Sequence, residues 1–410
     1  MDLERYIRAL PKTDLHVHLD GSLRIPTLIE LAQERHVELP SYTVEGLRET
    51  VFKDRYANLN EYLLGFQYTL SVMRDPEALE RIAFEFAEDN FEEGVRYFEV
   101  RFAPQLHVHE QFTIRDVLQV VNRGLARAAA QFNARIAGKA EPLHHYGITV
   151  CALRFFDEAS GPYYADLMRV HPFSPRTDVY SMASLEMVQA AVACRDQDHI
   201  PITGFDLAGR EEGFPAEDHR PAYEYAHKKF LKKTVHAGEA YGAESIFQAI
   251  TDLHADRIGH GYYLLSPEMI KSPTIRDKAE YVRALAEYIA DRRITIEVCL
   301  TSNLQTNPNL KSLADHAFKD MRQMRLSTTI CTDNRLMSHT TVTDEYIKAI
   351  QHFNLTAKEL RNIVIYGFKR SFFPGSYIDK RAYVRSIIDY YERVESAFVP
   401  RDGTWTGDAP

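Results

Sequence analysis

The sequence predicts an α/β fold in which eight parallel strands, joined by helices, close into a (β/α)8 barrel. Eight short apolar runs alternate with longer segments of three-to-four-residue apolar spacing, a pattern typical of parallel strands with helical crossovers. The length of 410 residues is within the range of one such barrel with insertions. Several runs also end in polar residues suited to chemistry, and active sites of these barrels lie at the carboxyl ends of the strands.

The strand candidates are short, apolar and rich in β-branched residues. In chain order they lie at 14–19, 95–102, 146–155, 201–207, 233–237, 256–264, 293–300 and 327–332. Helical spacing marks the segments 26–36, 77–91, 180–194, 243–253 and 275–290 between them. Pro26 suits the first turn of its helix, because the missing N–H would have no partner there. These runs supply the eight strand–helix alternations that the barrel needs.

Several segments exceed a minimal barrel. A short amphipathic segment, 3–10, precedes the first strand, and the connection after that strand runs from about 23 to 91. A further loop is expected at 157–180, and 344–397 is expected to be a helical C-terminal extension packed on the outside. We therefore expect extra helices capping the face at the carboxyl ends of the strands, one barrel domain over residues 1–400, and a flexible tail at 401–410.

Composition narrows the classes of partner. The chain is 45% apolar and 26% charged, as in ordinary soluble proteins, and a formal net charge of −9 disfavours nucleic acid as a partner. No apolar run reaches the length of a membrane span, and no signal peptide is visible. The four cysteines show no C-x-x-C spacing, which favours a reducing compartment. We expect a cytoplasmic protein that acts on a small molecule, bound neither to nucleic acid nor to a membrane, with its oligomeric state open.

The first strand carries two histidines two residues apart, His16 and His18, followed by Asp20. Residues i and i+2 of a strand point to the same face, so both imidazoles can converge on one object. Neutral imidazole is a good ligand for zinc and related ions. From this run alone, a metal site and an ordinary polar strand face are equally acceptable interpretations.

Four later strands also end in polar residues, which a barrel would gather on one face. They contribute Asp206 to Gly209, His236 with Glu239, His260 between two glycines, and Asp333 with Asn334. Taken singly, each has an ordinary alternative as a core histidine, a helix cap or a turn residue. Taken together, they predict a metal centre that supplies hydroxide, with a spare carboxyl group and a spare histidine for proton transfer. A second histidine pair, His107 and His109, has no completing residues nearby and is expected in a loop.

The runs HVHLDGS, DLAGRE, TVHAGEAYGAE, RIGHGYYL and STTICTDN, in this order and spacing, resemble those of the adenosine deaminase family. The resemblance extends from about residue 10 to 334 and is weakest over 104–200. It implies a zinc-dependent (β/α)8 barrel that hydrolyses the amino group of adenosine or 2′-deoxyadenosine, giving inosine or deoxyinosine and ammonia.

The resemblance also implies roles for individual residues. One Zn²⁺ per chain would be held by His16, His18, His236 and Asp333. Glu239 would protonate purine N1, while His260 would orient the attacking water and Asp333 would accept a hydrogen bond from it. Substrate would be bound by Gly209 at purine N3, Asp20 at the ribose 5′-hydroxyl and Asn334 near N7. An apolar gate over the pocket would comprise Leu59, Tyr62, Leu63 and Phe66.

Asn334 stands where many relatives carry a second acid, and an amide can donate to N7 without first binding a proton. Other substrates stay open, above all aminofutalosine, whose 5′ end is larger; free adenine is less favoured. A two-metal amidohydrolase would need a lysine at the end of strand four, where this chain has DLAGR. The signature of the cytidine-type deaminase fold is absent. A non-catalytic binding barrel would have no need of Glu239.

Overall fold

The computed structural model describes residues 2–398, and it contains the predicted barrel. Its eight strands are all parallel to their neighbours and follow one another around the sheet in chain order. They are β1 Lys12–His18, β2 Val95–Phe102, β3 His145–Leu153, β4 Ile202–Ala208, β5 Lys232–Ala237, β6 Arg257–His260, β7 Thr295–Val298 and β8 Thr328–Ile330. The end of β1 meets the segment after β8 through backbone hydrogen bonds from His18 N to Asp333 O (2.7 Å) and from Asp333 N to His16 O (2.8 Å).

Helices surround this barrel. The seventeen in the described part of the chain are α1 Leu3–Ala9, α2 Ile25–Glu34, α3 Val44–Thr50, α4 Leu59–Leu63, α5 Phe66–Val72, α6 Pro76–Glu92, α7 Ile114–Arg135, α8 Pro162–Val170, α9 Arg176–Gln197, α10 Arg220–Lys228, α11 Ala243–Thr251, α12 Lys278–Arg292, α13 Leu300–Thr306, α14 Phe318–Gln323, α15 Val342–Phe353, α16 Ala357–Arg370 and α17 Tyr377–Phe398. Most strand positions are fully buried, as expected for parallel strands covered by helices.

The long connection after β1 folds into five helices, α2 to α6, and 344–397 forms the predicted helical extension, α15 to α17. The loop expected at 157–180 is wrong in part, because it contains α8 and the start of α9. Pro162 opens α8, and the helix buries Tyr164 and Met168. A helix this short carries little periodic signal, and its proline and aromatic residues resemble a loop in composition.

Four strands, β3, β6, β7 and β8, are shorter than predicted, and backbone conformation explains the end of β6. β6 stops at His260 (φ 63°), and the closing segment after β8 turns at Asp333 (φ 63°), both in the left-handed region. Left-handed residues cannot continue a β-ladder, so the chain leaves the barrel there. The tail expected at 401–410 lies outside the described residues. Within residues 2–398, no helix has the length and apolar character that crossing a membrane requires.

Candidate active site

Three strands bring four metal-ligating side chains to one point at the carboxyl end of the barrel. His16 and His18 come from β1, His236 from β5, and Asp333 follows β8. One ligand atom from each of the four lies within 4.8 Å of the ligand atoms of the others. The closest pair is His18 Nε2 and His236 Nε2, 3.1 Å apart, and Asp333 Oδ1 is 3.4 Å from Nε2 of both His16 and His18. The residues predicted as a ligand set therefore converge.

Two buried carboxylates fix the histidine rings from behind. Glu297 Oε2 is 2.8 Å from His16 Nδ1, and Asp206 Oδ2 is 3.0 Å from His236 Nδ1. Arg101 joins the two carboxylates, with one guanidinium nitrogen 3.0 Å from Asp206 and the other 3.0 Å from Glu297. All three side chains are fully buried. By holding Nδ1 of each ring as a donor, this arrangement leaves Nε2 free to act as a ligand.

The protonation of the cluster follows from burial and neighbouring charge. Burial lowers the pKa of His18 well below its usual range and lowers that of His236. Burial and Arg101 also oppose protonation of His16, but hydrogen bonds to Asp333 and Glu297 outweigh them and raise its pKa. For Asp333, burial opposes ionisation, yet the hydrogen bond to His16 and nearby histidines hold its pKa far below normal. His18 and His236 are therefore neutral and Asp333 is ionised, which are the states that a divalent cation requires, whereas His16 would have to release its proton from Nε2 when a cation binds.

The donor set fits a zinc-like ion. His16 Nε2 is buried and faces the other three groups, with Asp333 Oδ1 3.4 Å away. Asp333 uses its second oxygen, Oδ2, to accept from Ser302 Oγ at 2.6 Å, which leaves Oδ1 for the centre of the cluster. Three imidazole nitrogens and one carboxylate oxygen are ligands that suit zinc and other first-row ions.

Glu239 and His260 lie beside the ligand cluster, with Glu239 Oε1 3.5 Å from His260 Nε2. Burial raises the pKa of Glu239 well above its usual range, and the negative charges of Asp333 and Glu211 add to the effect. Burial lowers the pKa of His260, so the ring is neutral. Its Nε2 is buried without a hydrogen-bond partner in the described part of the chain, while Nδ1 is 3.2 Å from the amide nitrogen of Asn303. A protonated carboxyl group and a neutral imidazole therefore face the same space.

Glu211 holds the turn that carries Glu239. Its two oxygens accept hydrogen bonds from four successive backbone amides, those of residues 238, 239, 240 and 241, at 2.7–3.0 Å. Ser245 Oγ donates a fifth bond at 2.5 Å. Gly238 permits this turn because its φ is +74° and any Cβ would lie 2.6 Å from Ile246 Cδ1. The carboxylate of Glu211 thus fixes the backbone of the turn that carries Glu239.

A cavity of about 190 Å³ opens beside Glu239 and is lined in part by Leu59, Arg210 and Asn309. Gly209, at the end of β4, adopts φ +89° next to this opening. Asp20 is buried, its Oδ1 lacks a partner within residues 2–398, and burial raises its pKa to about 7. A buried acceptor of this kind is suited to a hydroxyl donor on a ligand.

The other residues predicted from sequence differ in burial and in whether they line the cavity. Asn334 is buried against Gly21, where a Cβ would lie 1.8 Å from Asn334 Oδ1, an oxygen with no partner in the described residues. Of the four gate residues, Leu59 lines the cavity, whereas the Tyr62 hydroxyl is buried 3.0 Å from Ser338 Oγ. Leu63 and Phe66 are half-buried on α4 and α5.

His107 and His109 lie apart from the cluster. His107 is buried in a short 3₁₀ turn, with Nδ1 2.9 Å from Met73 O, and His109 is exposed. The prediction that this pair lies in the connection after strand two, away from the metal ligands, agrees with their positions.

Sequence reasoning missed the residues that support the site, namely Arg101, Glu297 and Glu211. Arg101 and Glu297 were hidden inside apolar strands, where a charged residue normally reads as an exposed position. The available signal was that both residues fall within apolar strands predicted to be buried, because a buried charge requires a partner. Glu211 was visible within the DLAGRE run, but its amide partners lie 27–30 residues further along the chain.

Comparison with known proteins agrees with this geometry. The family model described as adenosine deaminase matches residues 11–155 and 168–390. Adenosine deaminase 1 of Streptomyces coelicolor is 34% identical over 374 residues, covering 90% of this chain and 84% of the relative. A zinc-containing amidohydrolase structure from Burkholderia ambifaria is 19% identical with a TM-score of 0.74, covering 97% of this chain and 95% of the other.

The structure of the Arabidopsis N6-mAMP deaminase is 25% identical with a TM-score of 0.71, covering 94% of this chain and 99% of the other. The family match and the alignment with the Streptomyces enzyme both extend over nearly the whole chain. The protein is a deaminase that hydrolyses C–N bonds, and the chain belongs to the adenosine deaminase family.

Proposed function

We propose that this protein is a zinc-dependent deaminase of 6-aminopurine nucleosides, which converts adenosine and 2′-deoxyadenosine to inosine and deoxyinosine with release of ammonia. The observation that carries the proposal is the placement of Glu239, a buried carboxyl group with a raised pKa, between a cavity and a cluster of four metal-ligating side chains. Deamination at C6 needs a nucleophile and an acid at adjacent positions of one ring, and this arrangement can provide both.

His16, His18, His236 and Asp333 would hold the metal. When bound there, zinc would lower the pKa of water and so would supply hydroxide near neutral pH. Zinc is one of the ions that suit the three-imidazole, one-carboxylate donor set, and we choose it because the related amidohydrolase structure carries this ion.

Glu239 would donate its proton to purine N1, which makes C6 electrophilic. After water adds at C6, the new C6 hydroxyl group would give its proton to the amine, so that ammonia leaves and the C6 carbonyl forms. This role requires a carboxyl group that stays protonated near neutral pH, and burial beside Asp333 and Glu211 favours that state. His260, a neutral ring held through Nδ1 by Asn303, would orient the attacking water with its unpartnered Nε2. Asp333 would accept a hydrogen bond from the same water.

The remaining residues would select a nucleoside. Gly209 would donate its backbone N–H to purine N3, and Asn334 would donate to N7. Asp20 would accept the ribose 5′-hydroxyl with its unpartnered oxygen. A carboxylate at that position would repel a 5′-phosphate, so we expect this chain to differ from the Arabidopsis enzyme in preferring nucleosides to nucleotides. The four cysteines are all free and buried, which suits the reducing cytoplasm.

An ultraviolet assay of the purified, zinc-loaded protein tests the proposal by following loss of the 6-aminopurine chromophore. The panel comprises adenosine, 2′-deoxyadenosine, adenine, AMP, N6-methyl-AMP and aminofutalosine. We expect kcat/KM to be highest for the two nucleosides, by about tenfold or more over adenine and AMP. A preference for aminofutalosine would replace the substrate but keep the reaction, whereas turnover of none of the six would overturn the proposal.

A further inference from the structure

A strongly basic cavity lies at the opposite end of the barrel from the deaminase site. It has a volume of about 480 Å³ and is bordered by the amino-terminal ends of β5 and β6, the residues before β7, and the ends of α12 and α16. Seven lysine and arginine side chains line it, against a single carboxylate, Asp256. This concentration of positive charge stands out in a chain whose formal net charge is −9.

Most of these cations have no acidic partner. Arg257 pairs with Glu99 and Glu297 in the barrel interior, and Lys232 lies 3.9 Å from Asp256. The other five form no ion pair with any carboxylate among the described residues: Arg292, Arg293, Lys369, Arg370 and Lys380. The Nε of Arg370 is also buried without a hydrogen-bond partner in residues 2–398. Arg370 and Lys380 are half-buried, so solvent screens their mutual repulsion less than that of the exposed cations, and a bound anion would offset it.

Helix dipoles explain only part of the cluster. Cations are favoured in the last turn of a helix, where Arg292 of α12 and Lys369 and Arg370 of α16 lie. Lys380, however, lies in the first turn of α17, where the dipole opposes a positive charge. Burial and the charges of Arg257 and Lys232 lower its pKa to about 8. A lysine in this position is unfavourable for the helix and adds charge to the cavity.

We propose that this cavity binds a small anion carrying two or more phosphate groups. Five cations without acidic partners exceed what one monovalent anion could neutralise, and phosphate oxygens match both the forked donors of arginine and the point charge of lysine. The site shares no lining residue with the cavity beside Glu239 and is independent of the deaminase proposal.

Isothermal titration calorimetry of the full-length protein with inorganic tripolyphosphate tests this inference at about 0.15 M salt, where exposed charges are screened. We expect one binding event per chain. The double variant Arg292→Gln/Lys380→Gln should weaken binding by about tenfold or more, because it removes two of the unpaired charges. Arg276→Gln/Lys358→Gln removes the same charge near the opposite ends of α12 and α16 and should change the affinity by about twofold or less.

Deaminase turnover of both variants should match the wild type, which shows that they are folded. No binding to the wild type would overturn the proposal, as would equal weakening in the two variants, because the effect would then come from overall charge. Equal affinity for an oligoglutamate of the same charge would also overturn it, since the cavity would not recognise phosphate.

Discussion

At the scale of single residues, the geometry of the ligand cluster depends on carboxylates that never reach the cavity. Asp206 accepts from His236 Nδ1, and Glu297 accepts from His16 Nδ1, so each ring is held with Nε2 towards the other ligands. A metal-ligating histidine without such a partner can rotate or adopt the other tautomer. The orientation of these histidines is therefore determined by Asp206 and Glu297, which contact the rings on the side away from the other ligands.

Asp206→Asn tests this support. The amide keeps the shape of the side chain but weakens its interactions with His236 and Arg101, and we expect zinc affinity to fall about 10- to 100-fold. Competition with a fluorescent zinc chelator measures the change. Asp252→Asn, which disrupts an exposed ion pair with Arg220, is the matched control and should leave the affinity unchanged. Equal affinities for Asp206→Asn and the wild type would contradict the supporting role.

The sequence was sufficient to predict that His16, His18, His236 and Asp333 converge, because spacing and strand ends determine where they lie, and their binding of a metal stays a prediction. It was not sufficient to predict the pairing of Arg101 with Asp206 and Glu297. These three residues come from β2, β4 and β7, and only the closed barrel brings them together. Contacts between residues about 100–200 positions apart leave no local signature in a single sequence.

At the scale of elements, the turn after β5 determines the position of Glu239. Glu211 accepts hydrogen bonds from the four backbone amides of residues 238–241, and Tyr263 N donates to Gly238 O at 2.8 Å. The carboxylate acts on Glu239 twice, by positioning its backbone and by raising its pKa through negative charge. Glu211 is thus a positioning residue.

Glu211→Gln should lower kcat about 10- to 100-fold while zinc content stays at one ion per chain, because one amide oxygen cannot accept all five hydrogen bonds. Loss of the negative charge should also lower the pKa of Glu239. Since the role proposed for Glu239 requires its protonated form, the alkaline limb of the pH–rate profile should move to lower pH.

Steady-state kinetics across pH, with metal analysis, measures both effects. Glu212→Gln is the matched control. Glu212 is the next residue in the chain, and its side chain is exposed and pairs only with Lys271 among the described residues. An unshifted alkaline limb with a normal kcat in Glu211→Gln would contradict the positioning role.

The elements themselves were largely predictable. All eight strands and the helical extension were anticipated, because parallel strands and amphipathic helices have distinct periods. The ends of the strands were harder to place, since His260 and Asp333 leave the sheet through left-handed conformations that only glycine normally signals. The ends that sequence reasoning misplaced thus include those next to the candidate active site.

At the scale of the whole molecule, the ligand cluster joins the two ends of the barrel sheet. His16 and His18 lie on β1, Asp333 follows β8, and His236 lies on β5 across the barrel. A metal that binds only the folded state adds its binding free energy to stability. The ion would therefore support the closed barrel as well as the reaction.

Removal of the metal with a chelator should lower Tm. Free zinc at about a thousandfold above its Kd contributes about 4 kcal/mol to the free energy of unfolding, and the chelator removes this contribution. Differential scanning calorimetry of the chelated and zinc-restored protein measures the shift. Zinc should restore both Tm and turnover, while magnesium, which prefers oxygen ligands, should restore neither. A chelated protein with unchanged Tm and full activity would contradict the metal centre.

The most direct measurement of the central claim is turnover and metal content of Glu239→Gln. If Glu239 is the proton donor beside an intact metal cluster, kcat for adenosine should fall about 10²- to 10⁴-fold while one zinc per chain is retained. Glu244→Gln, five residues further on and in the first turn of α11, should keep wild-type turnover. A zinc-loaded Glu239→Gln protein that deaminates adenosine at the wild-type rate would contradict the account.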